Sequence, residues 1–136
     1  MRVVLADHQA AVRSALRLLV THVLALEVVG EVSAAADLWT QVQDARPDLL
    51  LLDWGLLGAG AGAALARLHA VYPDLQVIVL SGYPEARQHA LDAGPHAFVS
   101  KADSPEQVLK TLRAARARGG AGRATGDGAM TEGSDE

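Results

Sequence analysis

Arg46-Pro47-Asp48-Leu49-Leu50-Leu51-Leu52-Asp53-Trp54-Gly55 is the stretch on which the fold turns. Four leucines in a row, entered through a proline, predict a short strand buried on both faces, as in the middle of a parallel sheet. The strand ends in a carboxylate, Asp53, and a glycine-rich run follows from Gly55 to Gly62. In open α/β sheets ligands bind outside the carboxyl ends of the strands, which makes an acid there a candidate site residue. Taken alone, an aspartate after a strand simply opens a turn. What raises Asp53 above that reading is that three other apolar runs also end in polar groups.

Upstream, Arg2 to Ala6 reads as a first strand and ends in Asp7-His8-Gln9. Ala11 to Leu26 places Val12, Leu16, Leu19, Val20 and Val23 at helical spacing, and Glu27 to Glu31 is a short second strand. Ala34 to Ala45 is predicted helical, with Ser33 as N-cap and Leu38, Trp39 and Val42 facing inward. Pro47 closes that helix.

Downstream, Leu65, Leu68 and Val71 mark a helix over Ala63 to Val71. Leu75 to Leu80 is an apolar strand ending in Ser81. Pro84 opens a helix that runs to Asp92 and stops at Ala93-Gly94-Pro95. His96 to Ser100 is a fifth strand, closing on Lys101. Ser104-Pro105-Glu106-Gln107 caps a last helix that runs to about Arg118.

Five alternations of strand and helix predict an α/β fold, a flavodoxin-like (βα)5 three-layer sandwich with a parallel sheet in the order 2-1-3-4-5. Its switch point lies between the first and third strands, where Asp7 and Asp53 end; Ser81 and Lys101 end the neighbouring two. Two carboxylates, a hydroxyl and an ammonium should therefore meet on one edge of the sheet.

Length and charge set the remaining bounds. The 136 residues suit one domain, expected over residues 1–118, with residues 119–136 a disordered glycine-rich, acidic tail. A net charge of −4 argues against a nucleic-acid-binding surface, since phosphate contacts need a basic face. Without cysteine there is no disulfide framework and no thiolate chemistry. The first apolar segment is too short for a signal peptide, and no run approaches the roughly 20 residues that span a bilayer. The expectation is a soluble cytoplasmic protein that contacts neither membrane nor, through this chain alone, nucleic acid.

With those four strand ends in register, the sequence resembles the receiver domain of bacterial two-component response regulators over residues 2 to 118. Val4-Leu5-Ala6-Asp7 followed by Val12-Arg13 and Leu16-Arg17 is most similar to the NarL/LuxR type. The resemblance implies a signalling switch in which Asp53 accepts a phosphoryl group from a sensor histidine kinase. It implies a Mg²⁺ site at Asp7, the position of His8, Asp53 and the carbonyl of Gly55. Ser81 would bond the phosphoryl group, Lys101 would pair with it, and Phe98 would reorient as Ser81 moves. A homodimer or a downstream effector protein would receive the output.

The chemistry agrees with those roles. A carboxylate attacks a dianionic phosphoryl group only when cations offset the charge of approach. Two departures from the family pattern bear on this. Where two adjacent acids are usual, this chain has Asp7-His8, and imidazole suits a hard, oxygen-seeking ion poorly. Mg²⁺ should therefore bind weakly, with Mn²⁺ as the alternative, unless His8 turns to solvent and a water bridges from Asp7. The loop after Asp53 reads Leu56-Leu57-Gly58-Ala59-Gly60-Ala61, without the family's proline, and should be looser. Both changes keep a second reading open, a pseudo-receiver that serves as an interaction module without phosphorylation. A third is a truncated receiver of a DNA-binding LuxR-type regulator. An enzyme is not expected: no second aspartate follows two residues after Asp53, and no Ser/Thr-rich phosphate loop is present.

Overall fold

The computed structural model describes the backbone of residues 1–128 and the side chains of residues 1–119. Five parallel strands, β1 (Arg2–Ala6), β2 (Glu27–Val32), β3 (Leu49–Asp53), β4 (Gln76–Ser81) and β5 (Ala97–Ser100), form one sheet in the order β2-β1-β3-β4-β5. The helices are α1 (Ala10–Leu18), α2 (Leu38–Ala45), α3 (Ala61–Val71), α4 (Arg87–Asp92) and α5 (Pro105–Gly128).

The leucine run explains the layering. Successive side chains on a strand alternate between faces, so Leu50 and Leu52 join Leu38, Val42, Leu65, Leu68 and Ala90 under α2, α3 and α4. Leu49 and Leu51 join Leu16, Val20, Leu112 and Ala115 under α1 and α5. All four leucines are at most 1% exposed. Burying each is worth about 1.5–3 kcal/mol, which fixes β3 at the centre of the sheet.

Several local expectations are corrected. α1 passes into a wider π turn over Leu19–Val23, with Leu24 N donating to Leu19 O at 3.2 Å. The wider turn shifts the helical phase. Leu24 is brought into the core, and Val23, expected to face inward, is 51% exposed. Val71, the last residue of α3, is likewise 51% exposed. Ser33 does not cap α2. β2 extends to Val32, and a 3-10 turn over Ala35–Asp37 precedes the helix and has Ala34 at its cap position. Trp39 is half-buried, with the Arg67 guanidinium 3.8 Å above its ring and Tyr72 beside it.

Ser104 does cap α5, accepting from Gln107 N at 3.3 Å. That helix extends past the expected end near Arg118 and is continuous to Gly128. The rest of the expected tail, residues 129–136, lies outside the described residues. Among the described residues no helix is long and apolar enough to cross a membrane.

Candidate functional site

Sheet register brings the polar strand ends together. Ala6 lies opposite Leu52, so Asp7 follows β1 at the level where Asp53 ends β3. Ser81 pairs with Ser100, and Lys101 N donates to Ser81 O at 2.9 Å, which sets the lysine beside the end of β4. Asp7 N donates to Val32 O at 3.0 Å and Arg13 Nη1 to Asp7 O at 2.7 Å, so the backbone of the first acid is held from both sides. Arg13 and Arg17 also grip Glu31 on β2, and Arg17 holds its carboxyl below the usual carboxylate range.

Asp7 and Asp53 are only 1% and 3% exposed. Two such carboxylates need cations or donors nearby. Lys101 Nζ lies 2.8 Å from Asp7 Oδ2 and 3.3 Å from Asp53 Oδ1. Gln9 N donates to Asp7 Oδ1 at 2.8 Å, and Gly55 N to Asp53 Oδ1 at 3.3 Å. His8 does not turn away: although its side chain is 60% exposed, Nδ1 is 3.0 Å from Asp53 Oδ2 and 3.7 Å from Asp7 Oδ1.

The other two residues of the expected constellation are placed differently. The Ser81 hydroxyl engages its own loop, accepting from Tyr83 N at 3.1 Å and donating to Tyr83 O at 3.3 Å. Phe98 is partly buried against the core, with the Arg87 guanidinium 5.7 Å from its ring centroid. Ser81, Tyr83, Pro84, Arg87, Phe98 and Ser100 surround a cavity of about 260 Å³ on that side of the sheet edge.

A divalent ion fits the donor set. One ligand atom from each of Asp7, His8 and Asp53 lies within 4.8 Å of the others. Asp7 Oδ2, fully buried, has its ion pair with Lys101 but no aligned hydrogen bond. The ammonium of Lys101 compensates that oxygen, so Asp7 Oδ1 and Asp53 Oδ2, on the His8 side, are the carboxylate oxygens left for an ion.

The response regulator receiver domain profile matches residues 3–113. The chain belongs to that family. The YhcZ transcriptional regulatory protein of Bacillus subtilis is 32% identical over 114 residues, 82% of this receiver and 53% of YhcZ. The oxygen regulatory protein NreC of Staphylococcus epidermidis is 25% identical over 116 residues, 83% of this chain and 53% of NreC. The receiver thus spans about half the length of the curated relatives it matches.

Among solved structures, the isolated receiver domain of RcsB from Salmonella enterica serovar Typhimurium aligns with a TM-score of 0.75 at 23% identity, covering 85% of this chain and 88% of that one. A DNA-binding LuxR-family response regulator from Staphylococcus aureus aligns at 0.74 and 20% identity, covering 84% and 97%. At those identities the likeness is one of fold, and it agrees with the strand order observed.

Two contacts of this receiver escape a reading of its strand ends. Gln9 Oε1 accepts from Lys101 Nζ at 2.9 Å, so the lysine is held by a residue 92 positions away. Trp54 is 6% exposed and donates Nε1–H to His89 Nδ1 at 3.3 Å, joining the residue after Asp53 to α4. The only hint for Gln9 is its place two residues after Asp7; for His89 there is none.

Proposed function

We propose that this receiver is a phosphoryl-accepting signalling switch, with Asp53 the acceptor and a sensor histidine kinase the donor. The observation that carries the reading is the buried Asp53 carboxylate held between Lys101 and His8, with Asp7 alongside. One carboxylate oxygen attacks the phosphorus of a phosphohistidine; the P–N bond breaks as the new P–O bond forms, and the kinase imidazole leaves. Lys101, already 3.3 Å from Asp53 Oδ1, pairs with the phosphoryl oxygens. Ser81 gives up its bond to Tyr83 O to donate to the same group, and Phe98 moves into the space beside it.

Asp7, His8, Asp53 and the Gly55 carbonyl would hold Mg²⁺, weakly for want of a second acid, with Mn²⁺ as the alternative. The ion supplies positive charge against the equatorial phosphoryl oxygens. The working unit is residues 1–118, acting in the cytoplasm through a homodimer or an effector protein. It is not an enzyme that turns over a separate substrate. Since the match covers only about half of each of these relatives, the chain also suits a receiver whose DNA-binding half lies outside this sequence.

The pseudo-receiver reading draws on one observation: both oxygens of Asp53 already have partners, Lys101 and Gly55 N at Oδ1 and His8 at Oδ2. Incubation with a small-molecule phosphodonor and Mg²⁺, followed by intact mass, decides between them. Phosphate on the parent and none on Asp53→Asn is the expected result. No adduct, with either Mg²⁺ or Mn²⁺, leaves the interaction module.

A further inference from the structure

We infer that His8 is a direct metal ligand through Nδ1, and that the Asp7–His8–Asp53 site takes a divalent first-row transition ion that accepts nitrogen, such as manganese, cobalt or zinc, in preference to Mg²⁺. This deepens the reading above and rests on it only for the role of Asp53.

The four carboxylate oxygens divide into two sets. Lys101 takes Asp7 Oδ2 and Asp53 Oδ1. The other pair, Asp7 Oδ1 and Asp53 Oδ2, faces His8 Nδ1 at 3.7 and 3.0 Å. The lysine and an ion therefore use different oxygens of the same two acids and can be bound together. Gln9 N uses one lone pair of Asp7 Oδ1 and leaves the other.

The spacing suits a shared ion. Adjacent ligands around an octahedral ion with bonds of about 2.1 Å lie about 3 Å apart. The His8–Asp53 pair already has that separation, and the His8–Asp7 pair exceeds it by less than an ångström. The imidazole is 60% exposed, so water reaches the open side of the site and can complete the coordination shell.

Donor chemistry then decides which ion. One imidazole nitrogen with two carboxylates is a mixed set that favours first-row transition ions over Mg²⁺, which demands oxygen and sheds water reluctantly. Replacing an acid by a neutral ring also removes one negative charge, on which Mg²⁺ depends more than a nitrogen-accepting ion does. Without metal, a proton on Nδ1 donates to Asp53 Oδ2. With metal, the proton would sit on Nε2, and the Nδ1 lone pair would replace the hydrogen bond.

The test is pulsed electron paramagnetic resonance on the full chain with bound Mn²⁺, read for coupling to a directly bonded nitrogen. Calorimetric titrations with Mg²⁺, Mn²⁺ and Co²⁺ run beside it. The parent should show the nitrogen coupling, and His8→Asp should lose it while the other four of the five histidines remain. The preference for Mn²⁺ over Mg²⁺ should fall by roughly tenfold or more in His8→Asp. His8→Gln, which keeps the size without the ring nitrogen, serves if His8→Asp fails to fold. Bound Mn²⁺ without nitrogen coupling, an unchanged ion preference, or no ion binding at all would overturn the inference. Phosphate incorporation at Asp53, scored on the same samples, separates the two claims. Coupling without incorporation keeps the metal site and removes the acceptor, and incorporation without coupling does the reverse.

Discussion

The indole of Trp54 and the imidazole of His89 meet edge to face, with ring centroids 5.4 Å apart. Asp53 is thereby one residue from a side chain that touches α4, a contact that involves neither Ser81 nor Phe98. In a Trp39→Phe background, beryllofluoride with a divalent ion should change Trp54 emission. His89→Leu should raise the resting emission by removing a neighbouring imidazole and should blunt the response. Identical responses in the two backgrounds would show that His89 does not sense the pocket.

Lys101 keeps two buried carboxylates compatible. Lys101→Met should cost about 3 kcal/mol, on the order of ten degrees in thermal midpoint, because Asp7 and Asp53 lose the ammonium that pairs with both. Adding Asp7→Asn should restore most of that loss by removing one of the two charges. A double variant no more stable than Lys101→Met would mean that the lysine acts through packing.

His96 gives a pH dependence at the opposite edge of the sheet. Its N donates to Val77 O at 2.8 Å, and its Nδ1 accepts from Val77 N at 3.0 Å, so the two residues clasp the start of β4. Burial, then the neighbouring His69 and Arg118, hold the His96 pKa below 6.5. The unfolded chain therefore takes up this proton more readily than the folded one. Stability is fully present above about pH 6.5 and falls as pH drops from there through the folded value. Thermal midpoints between pH 8 and pH 5 should decline in the parent and less in His96→Asn, whose side-chain oxygen can still accept. Parallel curves would assign the acid sensitivity to other groups.

The packed end of α5 can be located by truncation. Gln76 is 6% exposed; its Nε2 donates to Ala115 O at 2.8 Å, and its Oε1 accepts from Arg118 Nε at 3.1 Å. A Cβ on Gly119 would come within 2.2 Å of Met1 Cε, so this residue also sits against the domain. A chain ending at Gly119 should melt within a few degrees of the parent, whereas one ending at Ala114 should lose far more, since a buried amide is left unsatisfied. Equal midpoints for the two would place the whole end of α5 off the fold.

The sheet order, the central place of β3 and the grouping of Asp7, Asp53 and Lys101 were legible because they depend on strand ends and short connections, which are local in sequence. Val23 was misplaced because one π turn, which periodicity does not reveal, rotates everything after it. The side-chain contacts of Gln9, His89 and Gln76 escaped because each is made between elements far apart in the chain. Ser81 was legible as a position and not as a contact, since its hydroxyl satisfies itself two residues away. The His8 residue type was readable as a departure; that its ring faces Asp53 is a fact of three dimensions.

The Gln76 amide carries a further consequence, one of timing. Its partner Ala115 lies 39 residues later in the chain, so a growing polypeptide exposes the amide well before the partner has left the ribosome. Until then the start of β4 holds a polar group that water must serve, and the strand cannot close fully on that side. Completion of the domain during synthesis therefore waits on the middle of α5, where Ala115 lies, and a nascent chain stalled before it presents an unfinished sheet to chaperones and proteases.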